Sequence, residues 1–496
     1  MPKRLTLAFT VLLLYAHPGS DSLLAQAERA VGEVGGERAA TITASDMQRR
    51  VGLLAHDSMG GRDTPSPGLT KAAAYVASEF RSFGLEPAIG EDYLQWYPLT
   101  AIHPGPASGQ SLVLRGAGRE HRLDPASDFV TLAVGASTRG SGPLAVFSRE
   151  ADDEELAGKV VVALATPRTL GERLSELRKT LAAGAAGAIV ALDAPEQYMS
   201  GVRMFFGTER LSLGRMEALD RPAVIVRLGS LPGPLRRALE HGEVPGGWSA
   251  DLRSTASVQA DSAMNVVGWL EGSDPELRDE YLVFTAHMDH VGIGRPVAGD
   301  SIYNGADDDA SGTSAILELA QAFATGPRPR RSVVFMTVSG EEKGLIGSEW
   351  YGEHPLFPLE KTVANLNIDM IGRNWEDTVV AIGKEESSLG ETVERVAARH
   401  PELGLEVIDD IWPEERFYFR SDHYNFARRG VPILFFFSGV HPDYHRPSDE
   451  PSKLKYEKAA RIARLIYLLG LEIANADDRP AWDPEAYRRV VKDVGE

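Results

Sequence analysis

The chain has no cysteine among its 496 residues. No disulfide can hold it together, so stability has to come from a buried core, with bound metal a further source. Apolar runs of membrane-spanning length are missing too. The run Leu5 to Ala16 is too short to cross a bilayer comfortably, and no stable membrane span is expected. Basic residues are in deficit, 52 against 71 acidic, for a net charge of −19, and there is no Lys/Arg stripe. Phosphate binding needs a basic surface, so nucleic acid is excluded as an expected partner; the balance suits a soluble protein that binds cations.

Apolar residues make up 43% of the chain, ample for a core, and the length exceeds what one core usually supports, so two or three domains are expected. Lys3-Arg4, the apolar run and Ala25-Gln-Ala27 read as a secretory signal over residues 1–27, which implies a secreted or periplasmic protein. No cysteine stands near the cleavage region, which argues against a lipid-anchored form. Residues 28–41 read as a flexible leader. A helix is expected from Ser45, then a turn-rich loop from Ser58 to Gly68. A second helix carries Leu69, Ala73, Val76, Phe80 and Phe83 on one face and stops at Gly84.

Between about residues 105 and 255 the character changes. Short strand-like runs, Ser111–Leu114 and Lys159–Leu164, alternate with Gly/Pro turns, and a helix from Leu174 leads into a strand at Ala188–Leu192. This reads as an inserted, smaller, β-rich α/β domain. Residues 42–104 plus 256–475 form the main domain. Its strand, loop, helix order implies an α/β fold with a mostly parallel mixed sheet sandwiched by helices. Ser311 is expected to cap a helix through Ala315, Leu319 and Phe323, stopping at Gly326. The last helix carries Ala459, Ile462, Ile466, Leu469 and Ile473 as a core stripe. Residues 476–496 read as a polar, peripheral tail.

Within the main domain, isolated acids and imidazoles follow strand-like runs. His287 and Asp289 follow Tyr281–Ala286, Glu341 and Glu342 follow Ser332–Val338, Asp369 follows Val363–Ile368, and His445 lies beyond Pro432–Phe437; Asp307 comes from the loop Asn304–Gly312. In an open α/β sheet the carboxyl ends of the strands share an edge, so these side chains can converge. Each alone would be an ordinary loop residue. Together they are the types that bind zinc.

One carboxylate donating both oxygens, Asp307, can bridge two ions about 3.5–4 Å apart. His287 with Asp369, and Glu342 with His445, then divide between them, and a shared water becomes the nucleophile. Glu341 is the adjacent carboxylate left to act as base, unless Glu341-Glu342-Lys343 only opens a helix. Asp289 is placed to accept from the other ring nitrogen of His287. Asp449 either serves His445 in the same way or caps the helix that follows. His290, His423 and His441 read as loop or supporting residues.

His287-Met-Asp289, Gly305–Gly312, Gly340-Glu-Glu342, Asn367–Met370 and Tyr444–Asp449 resemble, in order and spacing, motifs of the co-catalytic zinc aminopeptidases related to glutamate carboxypeptidase. The resemblance runs from Ser45 to about Ile473. It implies the zinc exopeptidase fold and two zinc ions, or another divalent metal, on His287, Asp307, Glu342, Asp369 and His445. It further implies that Asp307 bridges, that Glu341 is the general base, that Tyr444 is the oxyanion donor or an aromatic packed beside the metal, and that the Asp307–Asp308 peptide is cis. The insert resembles the protease-associated domain, through its position, Gly158–Val162 and Ala182–Ile189.

The expected function is an exported dizinc exopeptidase that attacks peptide substrates with a metal-bridging hydroxide, most simply an aminopeptidase. A carboxypeptidase or dipeptidase of the same family, a glutaminyl-cyclase-like transferase and a non-catalytic receptor-type module are the alternatives. Arg373, Arg416 and Arg420 could read a substrate carboxylate or be solvated, and Phe417, Tyr418 and Phe419 could line a pocket or pack. Oligomeric state and side-chain preference are not legible.

Overall fold

The computed structural model describes residues 35–132, 137–148, 153–214 and 221–491. The expected signal segment, the leader up to residue 34 and the last five residues of the tail lie outside it. The chain divides into two compact units, one running to Gln95 and resuming at Asn265, the other spanning Trp96–Met264. The second unit is wider than the expected 105–255, and the strands Leu94–Pro104 and Ala256–Leu270 run through its two boundaries.

In the first unit, strands β1 (Ala256–Leu270, paired through Val266–Leu270), β2 (Tyr281–His287), β3 (Ser332–Val338), β4 (Thr362–Ile368), β5 (Thr378–Ile382), β6 (Glu406–Ile408) and β7 (Ile433–Phe437) run side by side in the order β6-β5-β7-β4-β2-β3-β1. β2 pairs in parallel with β3 and β4, and β4 with β7, while β1 and β5 pair antiparallel to β3 and β7. The carboxyl ends of β2, β3, β4 and β7 therefore share one edge. β3 and β4 are buried at every position, as expected of strands covered on both faces.

Alternate residues of β2 identify the two cover layers. Phe284 stacks on Phe335 and packs against Phe323 of α3 (Ala310–Thr325), which in turn meets Tyr467 of α7 (Tyr456–Asn475). Val283, one residue earlier and on the opposite face, joins the cluster that contains Tyr351 of α4 (Ile346–Glu353) and Phe426 of α6 (His423–Ala427). α1 (Ala44–Leu54) packs on α3 and α7, and α2 (Pro67–Phe83) packs on α3. Between α4 and α6 along the chain, α5 (Leu389–Arg399) packs on α7.

The caps refine the sequence reading. Thr43 caps α1 through Asp46 N–H, so the helix starts one residue before Ser45, and Gly84 ends α2 in the left-handed region at φ +79° as expected. Asp309, not Ser311, caps α3 by accepting from Gly312 N–H at 2.8 Å, and the Ser311 hydroxyl turns back to the Asp307 carbonyl. The described end of the leader is helical over residues 35–39 and buries Ala39. The tail is not peripheral. Trp482 donates to the Gly430 carbonyl, and α8 (Pro484–Val490) buries Val490 in the Phe426 cluster, because an apolar residue can join the core however polar its neighbours. Among the described residues no helix is long and apolar enough to cross a membrane.

The second unit is a mixed sheet. Thr138–Val146, Val160–Ala165, Gly187–Leu192 and Ala223–Arg227 run parallel in that order, with antiparallel strands outside them, and the helix Leu170–Ala182 lies on Val160–Ala165 and Gly187–Leu192. This is the small α/β domain read from the insert.

Candidate metal centre

Three strand ends deliver side chains to the shared edge. His287 ends β2, Glu341 and Glu342 stand three and four residues past β3 in a turn before α4, and Asp369 follows β4 directly. The turn placement removes the helix-start alternative for the Glu pair. The fourth contribution is the stretch after β7, where His445 sits at φ +53°.

Asp308 lies at the focus. Its Oδ1 is 3.3 Å from His287 Nε2, and its Oδ2 is 3.2 Å from His445 Nε2 and 3.6 Å from His290 Nδ1. His287 Nε2 also lies 3.6 Å from Asp369 Oδ1, and His445 Nε2 lies 3.0 Å from Glu342 Oε2. Two ligand-type sets result, His287 with Asp308 and Asp369, and His290 with Asp308 and Glu342, sharing one carboxylate. His445 adjoins the second.

Asp307, expected to bridge, is turned away. Its Oδ1 accepts from Gly372 N–H at 2.6 Å and its Oδ2 is 3.4 Å from His441 Nε2. The sharing position is one residue later, and the cis peptide is correspondingly Asp308–Asp309, not Asp307–Asp308. The three aspartates divide the work. Asp307 ties the loop to the segment after β4, Asp308 faces the site, and Asp309 caps α3 while accepting from Met370 N–H. A run of three like residues carries no sign of which one faces inward.

The supports are equally specific. Asp289 accepts from the Thr64 hydroxyl at 3.0 Å and from Glu341 N–H at 3.3 Å; its main-chain oxygen, at 3.2 Å, is nearer to His287 Nδ1 than its carboxylate, at 3.7 Å. Asp449 neither meets His445 nor caps a helix. Its Oδ2 accepts the amides of Asp307 and Asp308 at 2.9 and 3.1 Å. A one-way chain of donors, Asn365 to Thr285 to Asn367 to Ser421, ends on Asp369 Oδ2. Arg62, 1% exposed, donates to the carbonyls of Leu54, Met288, Asn304 and Gly305. Nothing in strand periodicity announced Arg62, Thr64 or Ser421, which act on the site from distant parts of the sequence.

Buried polar atoms without hydrogen-bond partners converge on Asp308: its own Oδ2, Glu342 Oε1, Asp369 Oδ1, His445 Nε2 and His290 Nδ1. Native interiors seldom leave such atoms unmatched, and this donor set of imidazoles and carboxylates fits divalent metal. Burial, together with the nearby Glu342, Asp422 and Asp369 charges, pushes the Glu341 carboxyl well above its usual range despite the opposing His287. Burial works against the charge on His445, yet Asp308 and Glu342 raise its pKa to about 10.

Beside the carboxylates lies an apolar wall of Met370, Phe417, Phe435, Phe437 and Val440, with Tyr444 and Arg420 lining the same cleft. Tyr444 stacks on His445 with ring centroids 3.9 Å apart. Of the other candidates, Arg373 pairs with Asp443, Arg416 lies over Phe419, and Tyr418 packs edge-on against His423.

His423 stays out of the centre. It stacks on Phe435, its Nε2 pairs with the Tyr418 carbonyl, and burial pushes its pKa down to about 3. An unfolded imidazole takes a proton below about pH 6.5, so acid favours the unfolded chain between those values. From near pH 8 to about pH 4.5 this residue is expected to remove about 2–3 kcal/mol of stability. His423→Phe, which retains the stack, should lose that part of the acid slope in urea denaturation; an unchanged slope would refute the assignment.

Residues 265–469 match the description Peptidase family M28. They form an M28 peptidase domain. Aminopeptidase YwaD of Bacillus subtilis (strain 168) is 25% identical over 246 residues, 47% of this chain and 50% of its own length. Aminopeptidase NAALADL1 of Mus musculus is 33% identical over 137 residues, 26% of this chain and 16% of its own. The Glutamate carboxypeptidase 2 homolog of Caenorhabditis elegans is 28% identical over 261 residues, 47% and 32% of the two chains. This chain thus spans half or less of the length of these relatives. Among solved structures, the aminopeptidase from Aneurinibacillus sp. strain AM-1 superposes with a TM-score of 0.56 at 19% identity, over 90% of this chain and 97% of that one. That likeness shows that the two chains share a fold.

Proposed function

We propose that the chain is an exported dizinc exopeptidase, an aminopeptidase acting on peptides with a free amino end. The observation that carries this reading is the convergence of partnerless buried ligand atoms on Asp308, with Glu341 beside them. His287 and Asp369 would hold one ion, Glu342 and His445 the other, and Asp308 would serve both. The ions would supply Lewis acidity and make a bound water acidic enough to attack at neutral pH.

Glu341 takes the proton from the attacking water and passes it to the departing amine; its raised pKa suits a group that must both accept and release a proton. Burial and the neighbouring Asp308 and Glu342 charges keep Tyr444 protonated, so its phenol donates to the developing oxyanion. Asp289 holds the backbone beneath Glu341. The apolar wall takes the side chain of the first residue, and the surplus of carboxylates attracts its ammonium group. Arg420 in the same cleft favours a second reading, recognition of a substrate carboxylate by a carboxypeptidase or dipeptidase. Peptides blocked at either end separate the two.

Export rests on Lys3-Arg4, the run to Ala16 and Ala25-Gln-Ala27, and sequencing the mature amino terminus tests it. The insert, on its position and its glycine-rich matches, is read as a protease-associated-like domain. Chelation is expected to abolish hydrolysis and lower the melting temperature, both restored by zinc. At zinc about 1,000-fold above Kd the added stability is about 4 kcal/mol. Full activity in a verified metal-free protein would end the metallopeptidase reading.

A further inference from the structure

One more imidazole reaches the point where the expected ligands meet. His290 is fully buried, with Nδ1 2.8 Å from Glu342 Oε1 and 3.6 Å from Asp308 Oδ2, and its ring meets His445 edge-on at 5.6 Å. A separation of 2.8 Å would suit a hydrogen bond, yet neither ring nitrogen makes one, and neither does Glu342 Oε1.

Atoms in that relation are arranged as ligands around a common cation are. With zinc bonds of about 2.0–2.1 Å, neighbouring ligand atoms in a tetrahedron lie about 3.3 Å apart. His445 Nε2 keeps comparable distances, 3.2 Å from Asp308 and 3.0 Å from Glu342. The backbone makes room for the ring. At Gly305 (φ +56°) a Cβ would come within 2.5 Å of the His290 ring and 2.2 Å of the Asp308 carbonyl, so only glycine fits.

We propose that His290 is itself a metal ligand, completing with Asp308, Glu342 and His445 a half-site of two imidazoles and two carboxylates. The proposal rests on the dizinc reading. It makes the two half-sites unequal. His287, Asp308 and Asp369 would offer three protein ligands to one ion, and His290, Asp308, Glu342 and His445 four to the other.

Cobalt titration of metal-free, full-length protein tests this without reference to activity. His290→Cys should develop a near-ultraviolet sulfur-to-cobalt charge-transfer band as the His290 half-site fills. His290→Gln can still donate a hydrogen bond to Glu342 but lacks the imidazole lone pair, and it should bind that ion at least about tenfold more weakly. If His290→Cys binds two cobalt ions with no such band, or His290→Gln binds both as the wild type does, the ligand role is overturned and the dizinc reading stands. Wild-type protein that takes up one ion only would overturn both.

Discussion

Glu341→Gln is expected to lower kcat by about two to four orders of magnitude while zinc content stays at the wild-type level. The glutamine keeps the shape of the side chain and can still accept a hydrogen bond, but it cannot take a proton from water. The Glu341 amide remains bonded to Asp289, so the turn that also presents Glu342 has no reason to move. Steady-state rates on an unblocked peptide, with elemental analysis of the same sample, check both halves. A rate within tenfold of wild type would remove Glu341 as base, and a loss of zinc in step with activity would make it a ligand.

A comparably large effect separates two adjacent aspartates. Asp308→Asn should weaken uptake of both ions by at least about a hundredfold, because one shared carboxylate serves both half-sites and its neighbours are otherwise left facing one another. Asp307→Asn should retain both ions. Its amide oxygen can still accept from Gly372 N–H, and the expected cost is stability, about 1–3 kcal/mol, from the lost charge beside buried His441 and Lys458. Zinc titration by calorimetry reads the first variant and denaturant melts the second. The reverse pattern would restore the bridging role to Asp307.

That pair also marks how far the sequence could be read. Period and residue type locate β2, β3, β4 and β7, and parallel strands must bring His287, Glu342, Asp369 and the His445 loop to one edge. Which of Asp307, Asp308 and Asp309 faces inward depends on backbone turns inside a loop, where no periodicity applies. His290 read as a loop residue because its role depends on a gap at Gly305 that only three dimensions reveal. Trp482 and Val490 were hidden by polar neighbours, since burial of a short tail is decided by what it lands on. Arg62 and Thr64 act on residues far along the chain, a separation no local pattern encodes.

Arg62 has a consequence of its own. Its single guanidinium holds the end of α1, the carbonyl between His287 and Asp289, and the start of the loop that carries Asp308. A loop that lets go leaves a buried cation short of an acceptor, which in turn releases its grip on the others. The ligand-bearing loops are therefore expected to melt together in one cooperative step, with no partly assembled centre surviving to scavenge metal. The match to M28 begins at residue 265, well beyond Arg62. The guanidinium that ties these loops together thus lies outside the matched stretch.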